Sequence, residues 1–303
     1  MPRLEISVSR DAFKFRSQLR TFSDGLVTGL AILATVVVIA PLIAIFVYLL
    51  YMGTTSLNLD FFTKIPVPVG ETGGGMANSI LGSGILLGVA SAIGIPIGIG
   101  AGIYLAEFGR GGRLAFAIRF TADVLNGVPS IVMGLAAYAL IVVPKIPFLP
   151  FTGHFSAFSG GVALGFMMIP TVCRTTEEML LMVPHAVREA ALGLGVPNWR
   201  SVLSITVKTA SPGIITGCML AFARVAGETA PLIFTVLGNQ FWSTSLNQPI
   251  AALPLQIYVY AMSPYDDWHR LAWAGSLVLI VLIVLAVSLV RYVTSRGVLK
   301  GAS

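Results

Sequence analysis

The chain has 303 residues, of which 56% are hydrophobic and 11% charged, with a formal net charge of +6 and a mean hydropathy of +0.88. An average soluble domain is roughly 25% charged, and a globule of this size has too little interior to hide so much apolar surface. The composition therefore excludes a soluble globule, a disordered chain and a disulfide-stapled secreted domain. It points to an all-α polytopic membrane protein whose cations belong to loops rather than to a nucleic-acid interface.

In chain order, residues 1–24 form a basic segment carrying Arg3, Arg10, Lys14, Arg16 and Arg20. Ala12, Phe15, Leu19 and Phe22 recur between these cations at helical spacing. The segment reads either as an interfacial helix on the inner leaflet or as a disordered basic tail. The apolar run at 25–52 is far longer than the ~7–15 residues of a signal-peptide core and is expected to stay as an anchor, followed by an outer loop to residue 75. From 76 to 295 runs a core of five further apolar stretches, at 76–106, 117–143, 160–183, 209–237 and 271–293. Each is long enough for the ~20 residues a spanning helix needs. Residues 296–303 are a tail.

Placing both termini in the cytoplasm leaves fourteen lysines and arginines on the inner side and only Lys64, Lys145 and Arg270 outside. That asymmetry sets the orientation. The last two cations, Arg174 and Arg224, fall inside spans. Gly94, Gly98 and Gly102 recur every four residues in the second span, the small-residue stripe that lets membrane helices approach closely. Cys173 and Cys218 sit in apolar stretches and His154, His185 and His269 are far apart, so neither a disulfide framework nor a metal site is expected. No phosphate-binding P-loop occurs in the chain.

Four segments carry candidate chemistry. Asn126-Gly127-Val128-Pro129-Ser130 interrupts the third span. Proline removes a helical hydrogen bond, and irregular backbone at membrane depth is tolerated where it lines a cavity. Ser130 is therefore a candidate anion contact, with a bare kink as the alternative. In the fourth span, Arg174 and Glu178 are spaced i,i+4, and in the fifth span so are Arg224 and Glu228. On a continuous helix each pair shares a face and neutralises itself until an anion competes for the guanidinium. The alternative is a structural ion pair, and for Arg174 and Glu178 snorkelling to the interface. Asp123 is expected to pair with Arg119 at i−4. Between the fourth and fifth spans, at 184–208, Pro184 opens a short helix and Gly195-Val196-Pro197 ends it, with Asn198 positioned to cap a second helix. Ala190 and Ala191 give this elbow a narrow face for a groove, Glu189 one charge for a partner's cation, and Gly195 the bend. Finally, Phe241, Trp242, Tyr258, Tyr260, Tyr265 and Trp268 mark the last outer loop as an interface belt or as a receiving surface for a soluble protein.

Glu189-Ala190-Ala191, then Gly195 and Ile205, resembles the E-A-A loop of ABC importer permeases, although Ile205-Thr206-Val207-Lys208 lacks the usual closing proline. The strings Ala226-Gly227-Glu228-Thr229-Ala230-Pro231-Leu232, Asn239-Gln240-Phe241-Trp242-Ser243-Thr244, Gln248-Pro249-Ile250-Ala251 and Gly127-Val128-Pro129-Ser130-Ile131-Val132-Met133-Gly134 resemble the PstA-type permeases of phosphate-specific importers. The resemblance implies a type I ABC importer permease fold with about six spans. It implies a transport subunit of the bacterial or archaeal cytoplasmic membrane, not an enzyme, forming half of a phosphate pathway. The implied partners are a PstC-type permease, two PstB-type ATPase subunits that bind ATP and Mg, and an extracytoplasmic phosphate-binding protein. Glu189, Ala190, Ala191 and Gly195 would couple to the ATPase, and the chain itself would hold no cofactor. Two other readings fit the residues: a permease for another oxyanion, and a proton-coupled carrier using Glu228. A membrane-bound assembly factor is a further reading, and it leaves the intramembrane charges without a purpose.

Overall fold

A computed structural model describes the backbone of residues 10–68, 71, 73–109, 111–145 and 152–300, and their side chains except at 10–20, 22 and 295–300. Among the described residues every regular element is helical. Five helices are long and apolar enough to cross a membrane, and six if one bent pair counts as a span.

The chain divides into two compact units, Met1–Met52 and Gly53–Ser303. In the first, α1 (Arg10–Ser56) is helical from its first described residue. The backbone of 10–24 is thus a helix continuous with the anchor, while residues 1–9 and the side chains of Ala12, Phe15, Leu19 and Phe22 lie outside the described residues. From Leu26 to Val47 the leucines, isoleucines and valines of α1 are exposed, as on a helix solvated by lipid.

The second unit opens with α2 (Leu59–Thr63), capped by the Asn58 side chain, which accepts from the Phe61 N–H. Then come α3 (Ala77–Ile103), extended by a π-turn at Tyr104–Phe108, and α4 (Arg113–Gly127). After a break at Val128–Pro129 follows α5 (Ser130–Ala137), extended by a second π-turn, Tyr138–Val142. Next are α6 (Ala157–Leu181), α7 (His185–Gly193) and α8 (Asn198–Ser201), with a third π-turn at Val202–Thr206 leading into α9 (Val207–Ala226). The chain ends in α10 (Ala230–Thr235), α11 (Leu253–Ala261) and α12 (Asp266–Lys300). Residues 296–300, expected as a tail, continue α12.

Helix α6 is the hub. Leu164, Met168, Val172 and Leu180 on it are buried against Leu86 and Ala90 of α3, Ile214, Cys218 and Val225 of α9 and Leu232 of α10. The parallel α3–α6 seam uses the glycine stripe. A Cβ added at Gly94, Gly98 or Gly102 would fall within 2.8 Å of the Cβ atoms of Met168, Val172 and Thr176 respectively, so the two backbones meet at a distance only glycine permits. The two cysteines, buried at Cys173 and Cys218, are free and serve as small packing groups.

The segment 238–252 is not a loose outer loop. The carbonyls of Gln248 and Leu246 accept from the Ala157 and Phe158 N–H groups, satisfying donors that the first turn of α6 leaves open. Ser83 Oγ accepts from the Leu253 N–H at 2.7 Å, and Asn78 Nδ2 donates to the Asn239 carbonyl at 3.0 Å. The aromatic residues here do not form one belt. Tyr260 is 1% exposed and stacks on Trp268 at 4.6 Å, while Phe241 and Trp242 stand exposed at the tip.

Candidate translocation site and coupling elbow

Two of the expected spans are broken, and their second halves meet. The stretch at 117–143 is not one helix: α4 and the α5 segment cross at 112°, because Pro129 contributes no N–H and turns the chain out of the α4 axis. The stretch at 209–237 also divides, since α9 ends at Ala226 and α10 starts at Ala230 with proline in its first turn. The short helices α5 and α10 then pack backbone to backbone. A Cβ on Gly134 would lie 2.6 Å from the Pro231 Cα. Backbone cannot yield as a flexible side chain does, so Gly134→Ala should cost about 1–3 kcal/mol, the range of core overpacking. A drop in the thermal unfolding midpoint in detergent measures it. Gly100→Ala is the control, because nothing lies within 4 Å of its added Cβ.

The second break corrects one expected ion pair. Glu228 does not share a helix face with Arg224: Gly227 ends α9 and Glu228 lies in the unwound connection. It borders a narrow crevice with Ser83, Leu164, Val225 and Pro254. No ion pair between Arg224 and Glu228 forms. Arg224 is exposed on the last turn of α9, without a carboxylate partner among the described residues. Gly217 of α9 packs on Thr175 and Gly213 on Met179, so α9 runs antiparallel to α6. Arg224 lies about 10 Å beyond Gly217, away from the elbow. Ser130, at the other break, is half-buried and opens α5.

Arg174 also chooses differently from the expected i+4 pair. It bonds Glu177 Oε2 at 3.2 Å and Asp123 Oδ1 at 2.9 Å. The other Glu177 oxygen takes Arg119 Nε at 2.7 Å, and Arg119 Nη2 reaches the Leu105 carbonyl at 3.1 Å. Thus Asp123 pairs with Arg174 rather than Arg119. The reason is the antiparallel face of α4 on α6, where Arg119, Asp123 and Asn126 meet Glu177, Arg174 and Thr171 in register. Glu178 lies off that face and is exposed. The four charges form a closed, neutral network that rivets α4 to α6, with Glu177 buried at its centre.

The elbow is a short helix ended by a Schellman motif. The Val196 N–H donates to the Ala191 carbonyl at 3.2 Å and the Gly195 N–H to the Leu192 carbonyl at 2.9 Å. Gly195 takes φ +78°, the left-handed conformation that this stop requires and that favours glycine. Asn198 does not cap α8; it is the first residue of that helix, behind Pro197, and makes no side-chain cap. The two alanines face opposite ways. Ala190 and Glu189 are exposed, whereas Ala191 is 3% exposed and belongs to the inner packing of the elbow rather than to its outer face. Leu192, Leu194 and Trp199 enlarge the exposed surface beside Glu189. Sequence reading missed Arg188, which ties α7 to the bundle through Glu107 at 2.8 Å and the Leu180 carbonyl at 2.7 Å. The signal available was one arginine on the elbow opposite an acid at the end of the second span.

Among the described residues no group of three or more histidine, cysteine, aspartate or glutamate side chains is placed to hold a metal ion.

Residues 94–297 match the model of the family described as binding-protein-dependent transport system inner membrane component. The phosphate transport system permease protein PstA of Yersinia pestis is 49% identical over 244 residues, covering 80% of each chain. That of Haemophilus influenzae is 45% identical over 270 residues, covering 89% of this chain and 93% of its own. PstA 1 of Mycobacterium tuberculosis is 38% identical over 231 residues. Among solved structures, an inward-facing form of the MetNI methionine ABC transporter superposes with a TM-score of 0.54 at 18% identity, covering 74% of this chain and 96% of that one, which shows a shared fold.

Proposed function

We infer the function from one premise: the chain belongs to the binding-protein-dependent inner-membrane transport components, and within them to the PstA phosphate permeases. It is the multi-pass membrane permease of a phosphate ABC importer, a transport subunit and not an enzyme. We propose that the importer is completed by a PstC-type permease, two PstB-type ATPase chains holding ATP and Mg, and an extracytoplasmic phosphate-binding protein. Both termini face the cytoplasm of a bacterial inner membrane, as the distribution of lysine and arginine favours.

The observation that carries the pathway assignment is Arg224. An arginine inside an apolar span costs roughly 2.5–3.5 kcal/mol on insertion scales, and this one has no carboxylate partner among the described residues to offset it. Its planar fork suits a tetrahedral oxyanion in bidentate fashion. It stands one turn before the unwound Gly227–Thr229 connection, and irregular backbone at that depth is sustainable beside a wet cavity. In this mechanism the binding protein releases phosphate into an outward-open cleft between the two permeases, and Arg224 receives the anion. Glu228, half-buried in the unwound connection that follows, adds a negative charge to this stretch of the pathway without pairing with Arg224. Ser130, at the facing break, offers a hydroxyl. Arg174 belongs to the pathway as a half-buried member of the α4–α6 network rather than as a free anion receptor, with Glu178 at the surface beyond it. ATP-driven closure of the ATPase pair moves the elbow through Glu189, Ala190 and Gly195, with Ala191 holding its shape, and the cleft reopens inward.

Uptake of radiolabelled phosphate into vesicles carrying the chain with its co-purifying partners tests this. Uptake that needs ATP, survives an uncoupler and ignores excess sulfate is the expected result. Uptake driven by a proton gradient alone, or competed fully by sulfate, overturns it.

A further inference from the structure

We propose that the Arg188–Glu107 pair is the strut through which the elbow moves the permease body, so that both are positioning residues for transport; this rests on the elbow being the ATPase dock. Among the described residues, Arg188 is the one side chain of α7 that hydrogen-bonds beyond the elbow itself. Its guanidinium joins three elements at one point. Nη2 donates to Glu107 Oε1 at 2.8 Å and to the Leu180 carbonyl at 2.7 Å, and Nη1 donates to the Val183 carbonyl at 3.1 Å. The Leu180 carbonyl, in the last turn of α6, also accepts from the Val183 N–H, while the Val183 carbonyl lies just past the helix end, where backbone acceptors are left open. Glu107 belongs to the π-turn that finishes α3.

The pair is nearly enclosed, with side-chain exposures of 16% for Arg188 and 8% for Glu107. A contact so shielded from water is not the loose ion pair of a surface helix. Because α3 and α6 are locked together by the glycine seam, a pull on α7 reaches both at once. The fork is also only partly used. Arg188 Nε is buried and has no acceptor, although an arginine–carboxylate pair can engage two parallel bonds. A small displacement of α7 that brings the second Glu107 oxygen onto Nε gives the strut a second bonded arrangement, which is what a transmitting element needs. The strut also sits between two π-turns, Tyr104–Phe108 at its acid and Val202–Thr206 at the root of α9, a backbone irregularity frequent at functional positions.

The test uses the assembled transporter in proteoliposomes and reads phosphate moved per ATP hydrolysed, for Glu107→Gln and for the double replacement Arg188→Met with Glu107→Leu. The double variant removes both charges, so no buried ion is left alone and folding is preserved. Expected is a complex that assembles and hydrolyses ATP but whose transport per ATP falls about tenfold or more, within the usual range of coupling between sites. A normal ratio in either assembled variant overturns the strut. So does failure of both variants to assemble, which would make the pair a folding element. Trapping of Ala190→Cys, labelled with a thiol-reactive photocrosslinker, against the ATPase chain in the otherwise unaltered complex reports separately on docking. If no trapping occurs, the elbow is not the dock and the function reading fails, whatever the ratio shows.

Discussion

Arg224→Ala is expected to reduce phosphate uptake by roughly 100-fold or more, the scale of losing one partner of a hydrogen-bonded charge pair once the assembled permeases close over the anion. Assembly and membrane insertion should be unaffected. The guanidinium is exposed and contributes no ion pair to the fold, and removing it from an apolar span relieves an insertion cost rather than adding one. Arg224→Lys keeps the charge and loses the planar fork, so it should recover part of the uptake. Radiolabelled uptake beside an immunoprecipitation of the partner chains measures both quantities. A variant that assembles normally and imports phosphate at the unaltered rate would show that the anion passes elsewhere.

Glu177→Ala is expected to have the largest effect on stability, about 3–5 kcal/mol, because removing one member of a buried ion pair strands the others. Its two oxygens hold Arg119 and Arg174 apart while neutralising both. Without it, two arginines face one remaining acid, Asp123, which is half exposed. Asp123→Ala should cost much less, about 1 kcal/mol or below, since that carboxylate is screened by solvent. Thermal unfolding of the detergent-solubilised protein separates the two, and equal midpoints for both variants would mean that the network does not rivet α4 to α6.

The family and the helical class were legible because they rest on composition and on contiguous strings, which need no knowledge of neighbours. The glycine stripe was legible for the same reason: a four-residue repeat of the smallest side chain has one strong physical use in a membrane helix. The ion pairs were not. Pairing Arg224 with Glu228 assumed that the helix ran through Gly227, whereas the following Pro231 starts a new one. Pairing Arg174 with Glu178 counted residues along one helix, but the partner is chosen by the helix packed across it, and α4 addresses the face of Glu177. Ala191 misled in a similar way, since its motif named the residue without saying which side of α7 would turn inward. Arg188 was passed over because its three acceptors are two carbonyls and an acid 81 positions away, a combination that no local spacing reports.

The α3–α6 seam has a mechanical consequence. With Gly94, Gly98 and Gly102 seated against Met168, Val172 and Thr176, the two helices mesh like toothed racks whose notches repeat every four residues, about 6 Å. Small sliding along such a contact drives a Cβ into backbone before it reaches the next notch. The two helices therefore travel as a single plate, and the strain of each transport cycle falls on the joints at Val128–Pro129 and Gly227–Thr229, where the backbone is already free of the helical ladder.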